Sequence, residues 1–142
     1  MKTATRVPLR LAQSRSAVVL GVGFDLLHVR RVEEELSRGP WLADDGIFTL
    51  HEIQHCSAAR EPALRYAACF AAKEATLKAL GLAAEDLAMF REVELRAAAN
   101  GAYEIILQRR AKEAAATNGV RRIHLSLARS SGLAAAVVIL EA

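Results

Sequence analysis

Phe70-Ala71-Ala72-Lys73-Glu74-Ala75-Thr76-Leu77-Lys78-Ala79-Leu80-Gly81 is the stretch that decides the fold. Its alanine content favours helix, Gly81 supplies a left-handed stop, and Pro62 upstream suits a first helical turn. A long helix from Pro62 to Leu80 follows. Glu74 comes four residues after Phe70 and four before Lys78, which lines the three along one helical face, while Lys73 points elsewhere. An isolated Glu–Lys pair at this spacing is an ordinary solvated ion pair worth about 0.3–0.5 kcal/mol. A lone aspartate far upstream, Asp25, gives the pair a second possible meaning.

Working outward, Ala17 to Leu27 reads as a buried strand with β-branched content, in which Gly21 and Gly23 permit close backbone approach or a bulge. The two glycines are not a dinucleotide fingerprint, because Leu26 stands where the third glycine would be needed. Asp25 falls at the strand's polar end, as a helix cap or a ligand. Val29 to Arg38 reads as a helix with Val29, Val32 and Leu36 on one side, stopped by Gly39-Pro40. Thr49-Leu50-His51-Glu52 is a capping box that opens a short helix to about Cys56. Residues 83–88 read as a loop. Glu92 to Ala97 alternates as a half-exposed strand, and Asn100-Gly101 signals a two-residue turn into Tyr103–Leu107. A short helix from Arg110 to Asn118 ends at Gly119, and strands Ile123–Ala128 and Ala134–Leu140 are joined by Arg129-Ser130-Ser131-Gly132. The order β-α-α-α-β-β-α-β-β, with short connections, predicts an α+β fold. We expect a single compact domain over residues 17–142, a mainly antiparallel sheet packed with one long helix and shorter helices.

A chain of 142 residues, 53% hydrophobic and 25% charged, has the composition of a globular domain with a real core. No run approaches the roughly 18 apolar residues of a membrane span. The formal charge of +3 is local in origin. Residues 1–16, with Lys2, Arg6, Arg10 and Arg15 and no acid, read as a basic, disordered leader. The modest basic balance suggests an acidic partner, but only 5% of residues are aromatic and no basic-aromatic interleaving occurs, which argues against a nucleic-acid platform. Cys56 and Cys69 show no CxxC spacing, which suits a reducing cytoplasm without structural zinc, and Cys69 reads as a small core residue.

In order along the chain, Gly21-Val22-Gly23-Phe24-Asp25, Phe48-Thr49 with Glu52, and Phe70-Ala71-Ala72-Lys73-Glu74-Ala75 with Lys78-Ala79-Leu80-Gly81 resemble the motifs of the holo-acyl-carrier-protein synthase family of 4′-phosphopantetheinyl transferases. The strand Glu92-Val93-Glu94, the Asn100-Gly101 turn and His124-Leu125-Ser126-Leu127 fall where that family has them, so the resemblance covers about residues 18–141. It implies transfer of the 4′-phosphopantetheine arm of coenzyme A to a serine of an apo acyl or polyketide-type carrier protein, with loss of 3′,5′-ADP. It further implies Mg²⁺ held by Asp25 and Glu74, consistent with a hard cation that takes one or two carboxylates plus substrate phosphates. Lys78 would meet a phosphate or the developing charge, with Lys73 able to do so from the neighbouring face, although from the residues alone Lys73 is equally a solvated or ion-paired lysine. His124 and Ser126, alternating on one strand face, would lie near the nucleotide, although from the residues alone His124 is equally a core histidine. Arg31 and Arg38 would face an acidic acyl carrier protein. The resemblance also implies a cytoplasmic homotrimer with coenzyme A sites between subunits.

The chain departs from the family pattern at His28, where an acidic residue is usual, and at Cys69, where the family has an arginine before Phe70. It departs again at Leu82-Ala83, in place of Thr-Gly, and at Ala128-Arg129, in place of a hydroxyl residue and histidine. These changes leave two further readings in view: a catalytically weak or inactive carrier-binding protein on the same fold, and a basic nucleic-acid-binding protein.

Overall fold

The computed structural model of the chain describes residues 16–142; the basic leader expected over residues 1–16 lies, apart from Ser16, outside them. Strand β1 (Val19–His28) runs directly into helix α1 (Val29–Arg38), followed by a 3-10 turn at Pro40–Leu42. Helix α2 (Leu50–Ser57) and the long α3 (Pro62–Ala79) come next. A short α4 (Leu87–Arg91), the ribbon β2 (Val93–Ala97) and β3 (Tyr103–Leu107), helix α5 (Arg109–Thr117) and the hairpin β4 (Arg122–Ser130) and β5 (Leu133–Glu141) complete the domain.

All the strand pairing is antiparallel, as the sequence predicts, and is divided between a three-stranded sheet β1-β5-β4 and the two-stranded ribbon β2-β3. The first strand therefore pairs with the last. The period of two sorts each strand into an inner and an outer face. Ala134, Ala136, Val138 and Leu140 of β5 point inward and are buried; their partners on β1 are Leu27, Asp25, Gly23 and Gly21. Across that inner face lies α3.

Helix α3 is buried on almost every side, with residues 66–73 and 75–77 all withdrawn from solvent. Its alanines let neighbouring backbones come close. At Gly23 a side-chain Cβ would fall 1.8 Å from the Ala75 carbonyl oxygen, and at Gly21 it would fall 2.2 Å from that of Ala79. The two glycines thus let the backbone of α3 rest directly on β1, and a register shift between Val19 and Gly21 supplies the bulge as well. The capping box is present, with Glu52 N–H donating to Thr49 Oγ1 at 3.2 Å and Thr49 N–H donating to Glu52 Oε2 at 2.9 Å.

Four local expectations are corrected. The strand expected as buried over Ala17–Leu27 is buried on one face only, with Val22, Phe24 and Leu26 exposed on the other, and the strand expected as half-exposed over Glu92–Ala97 is buried from Glu92 to Leu95. The loop expected over residues 83–88 gives way to α4 from Leu87; Asp86 caps it by accepting from Met89 N–H at 2.8 Å, and five residues are too few for a periodic signal. The turn at Asn100-Gly101 is not a two-residue hairpin. Ala98 and Ala102 close a three-residue loop through a 2.7 Å bond, with Gly101 at φ 81° in the left-handed region that such a loop requires.

Candidate active site

Asp25 stands between Gly23 and Leu27 in the inner-facing row of β1, and the glycine-mediated contact sets this part of the strand against the last two turns of α3. There Asp25 meets Glu74 and Lys78. Lys78 Nζ donates to Asp25 Oδ1 at 2.8 Å and to the Phe24 carbonyl at 3.3 Å, with its own side chain half-exposed. Burial, and then the negative charge of Asp25, push the Glu74 carboxyl above its ordinary value, against the opposing pull of Lys78 and Arg31. Three of the residues singled out from the sequence therefore share one half-buried site, and Arg31 at the start of α1 extends its charge to it.

Two carboxylates that repel each other at a half-exposed site suit a hard divalent cation that completes its shell with phosphate and water oxygens. No group of three or more His, Cys, Asp and Glu side chains placed to hold a metal ion occurs among the described residues.

Lys73 belongs elsewhere, and its expected role as a phosphate contact is corrected. Its side chain is wholly buried, and Nζ donates to Glu52 Oε2 at 2.7 Å, to the Val93 carbonyl at 2.6 Å and to the Phe90 carbonyl at 2.9 Å. An ammonium with three donors has none left for a ligand. Glu52 is more than a cap: its Oε1 accepts from Leu95 N–H at 2.7 Å and from Cys69 Sγ at 3.3 Å. This carboxylate joins α2, α3 and β2, a role that its place in a capping box did not reveal. Burial foremost raises the Cys69 thiol well above its usual value, as a core cysteine requires.

His124 and Ser126 lie on the outer face of the sheet, in register with Ile139 and Val137 of β5, so within one chain they are turned away from Asp25. His124 is not a core residue; its Nε2 lies 2.9 Å from Glu141 Oε2, and Arg122 Nη1 donates to Glu141 Oε1 at 2.6 Å. Arg31 and Arg38 are both exposed on α1, Arg38 paired with Glu35 at 2.8 Å. Of the positions that depart from the family pattern, His28, Ala83, Ala128 and Arg129 are exposed and Leu82 is partly so, while Cys69 is buried.

The chain is similar to known proteins over most of its length. Residues 21–138 match the family model described as the 4′-phosphopantetheinyl transferase superfamily. A holo-[acyl-carrier-protein] synthase of Geobacter sp. (strain M21) is 38% identical over 124 residues, which cover 87% of this chain and 99% of that protein. Among solved structures, the holo-[acyl-carrier-protein] synthase of Neisseria meningitidis superposes with a TM-score of 0.77 at 26% identity, covering 88% of this chain and 100% of that one. That of Bacillus anthracis str. Ames, in complex with CoA (3′,5′-ADP), superposes with a TM-score of 0.68 at 26% identity, covering 87% and 97%.

Proposed function

The chain belongs to the 4′-phosphopantetheinyl transferase superfamily and is an enzyme of the holo-[acyl-carrier-protein] synthase kind, and we propose the reaction in detail: the 4′-phosphopantetheine arm of coenzyme A passes to a serine hydroxyl of an apo acyl or polyketide-type carrier protein, 3′,5′-ADP leaves, and Mg²⁺ is required. The observation that carries this reading is the meeting of Asp25, Glu74 and Lys78 where β1 and α3 touch. The relative solved with CoA supports coenzyme A as the substrate.

Asp25 and Glu74 would hold the cation, whose chemistry is to neutralise and orient the pyrophosphate. Lys78, on the helix's last turn and half-exposed, can exchange Asp25 for the phosphate that gathers charge as 3′,5′-ADP departs. The carrier's serine is the nucleophile, so the chain itself needs none. Arg31, exposed beside the site, and Arg38, seven residues on along the same helix, present positive charge to an acidic carrier and steer its approach.

We further propose a homotrimer with the coenzyme A sites between subunits. Its support is the outer face of the three-stranded sheet, where Val22, Phe24 and Leu26 are 59%, 54% and 55% exposed in one row. An apolar strip of this kind on a sheet face marks an interaction surface. His124 and Ser126 share this face and would reach a neighbour's site, not their own. No helix among the described residues is long and apolar enough to cross a membrane, and two free buried thiols accord with a cytoplasmic location.

The test is incubation with coenzyme A, Mg²⁺ and a panel of apo carriers, read by intact mass. A gain of one phosphopantetheine, abolished by EDTA, is expected. No gain with any carrier, where a control transferase succeeds, would overturn the reading and leave a carrier-binding protein.

A further inference from the structure

Between the starts of α2 and α5 and the end of α4 lies a cleft of about 140 Å³, or about 460 Å³ counting its open mouth. Thr49, Ala88, Arg91, Glu92, Gln108 and Arg109 line it, and no residue of the Asp25–Glu74–Lys78 site does. The smaller volume is well above the roughly 10–15 Å³ that admits one water.

The carboxylates around this cleft are already engaged. Arg110 donates through Nε to Glu92 Oε1 at 2.8 Å and through Nη2 to Asp86 Oδ1 at 3.2 Å. The second Glu92 oxygen accepts from Ala111 N–H at 3.2 Å, and Asp86 also caps α4. Glu92 therefore brings no free charge to the cleft it lines. Arg91 and Arg109 have no carboxylate within ion-pair distance among the described residues. Arg91 donates to the main-chain carbonyl of Asp44 and keeps the rest of its guanidinium fork uncommitted. The side chain of Gln108 makes no capping bond to α5.

The backbone at Arg109 is strained. Its φ is 44°, whereas every other positive φ among the described residues belongs to a glycine. A side chain with a Cβ is disfavoured in that region and glycine is not. The turn from β3 into α5 thus carries strain at the one residue whose guanidinium stands on the cleft wall without a counter-ion, a local conflict of the sort that marks binding sites.

We propose that Arg91 and Arg109, with Gln108, form an anion site for a phosphate group, carried by inorganic phosphate or by a small phosphate monoester. Guanidinium forks bind such an oxyanion through paired N–H donors, and the two sources present the same oxygens to them. The proposal does not depend on the transferase reading, whose own test is phosphopantetheine transfer.

The test is titration of the full, isotope-labelled chain with sodium phosphate and, in a second arm, with glycerol phosphate. Both arms contain EDTA, chloride holds the ionic strength constant, and NMR spectra supply the readout. The amides of Gln108 to Ala111 and the Nε signals of Arg91 and Arg109 should move along one saturable curve, with an affinity that falls as salt rises. Arg109→Gln weakens binding about tenfold at an unchanged melting temperature, since this guanidinium holds no other group among the described residues. Arg91→Gln weakens it similarly; because Arg91 also holds the Asp44 carbonyl, a fold defect there leaves Arg109→Gln to decide. Tighter binding of glycerol phosphate assigns the site to an esterified ligand, equal or weaker binding assigns it to free phosphate, and both uphold it. Shifts confined to the surroundings of Lys78 or Arg65, an affinity of Arg109→Gln within twofold of the wild type, or no saturable shift with either probe overturns it.

Discussion

Lys73→Met separates a structural ammonium from a catalytic one. In the wild type Nζ meets Glu52 Oε2 at 2.7 Å and two main-chain carbonyls, with both side chains at most 1% exposed. Methionine fills similar volume without charge, so the substitution leaves the Glu52 carboxylate buried and uncompensated, at a cost of about 3–5 kcal/mol. The Phe90 and Val93 carbonyls lose a donor as well, about 1 kcal/mol each if water cannot reach them. Domains of this kind are stable by about 5–15 kcal/mol. The midpoint of thermal unfolding should fall by about 10–20 °C, read by circular dichroism, with urea unfolding giving the free energy. Adding Glu52→Gln removes the stranded charge and keeps an acceptor for Leu95 N–H. The double variant should recover about 1–3 kcal/mol relative to Lys73→Met alone. A Lys73→Met protein of wild-type stability with a raised KM for coenzyme A would refute this account and restore Lys73 as a phosphate contact.

If Asp25 and Glu74 hold Mg²⁺ as proposed, the ion should stabilise the wild type by about 1.4 kcal/mol at ten times Kd, and Glu74→Gln should abolish both that stabilisation and transfer. Because burial and Asp25 raise the folded-state pKa of Glu74 above its unfolded value, the stability linked to its protonation is present at low pH and lost as pH rises through the folded pKa. Without metal, Glu74→Gln should therefore melt higher than wild type at pH 7–8, with the gain fading toward pH 4; a lower melting temperature at pH 7 would contradict the assigned repulsion. Gly23→Ala must push α3 off β1, since its Cβ would sit 1.8 Å from the Ala75 oxygen, and should cost about 1–3 kcal/mol or more and most of the activity. Unchanged activity there would show that the Asp25–Glu74 spacing is not set by that contact. Phe24→Glu, on the outer sheet face, should convert the proposed trimer to folded monomers in sedimentation, and a trimer that survives it would remove that face as the interface.

What could be read from the sequence follows from where its information is local. The capping box at Thr49 and the stop at Gly81 are each set within a few residues, and they appear where expected; the strand at Glu94 appears too, but Val93, Glu94 and Leu95 are all buried, so its polar-apolar alternation did not mark a half-exposed strand. The sequence leaves Lys73 open between a phosphate contact and an ion pair for a reason that lies in α3 itself. A helix with one wet face sorts its polar residues by direction. Here residues 66–73 and 75–77 are all buried, so the period carries no sign of which lysine faces solvent. The Lys73 partners come from α4, β2 and α2, at separations no helical pattern encodes.

The Asp25–Glu74 pairing shows the converse, a long-range feature with a local signature. The side chain of residue 25 can reach residue 74 only if the backbones of β1 and α3 touch, and any Cβ at position 21 or 23 prevents it. Glycine at both positions costs strand propensity and chain entropy, a cost justified only by what the close approach achieves. What it achieves is a half-buried carboxylate pair, in which burial first and Asp25 second raise the Glu74 pKa. Two local costs that converge on one site are the pattern of a functional centre, where stability is given up for binding. A solvated Glu74–Lys78 pair on a surface helix would have required neither glycine nor the repulsion from Asp25.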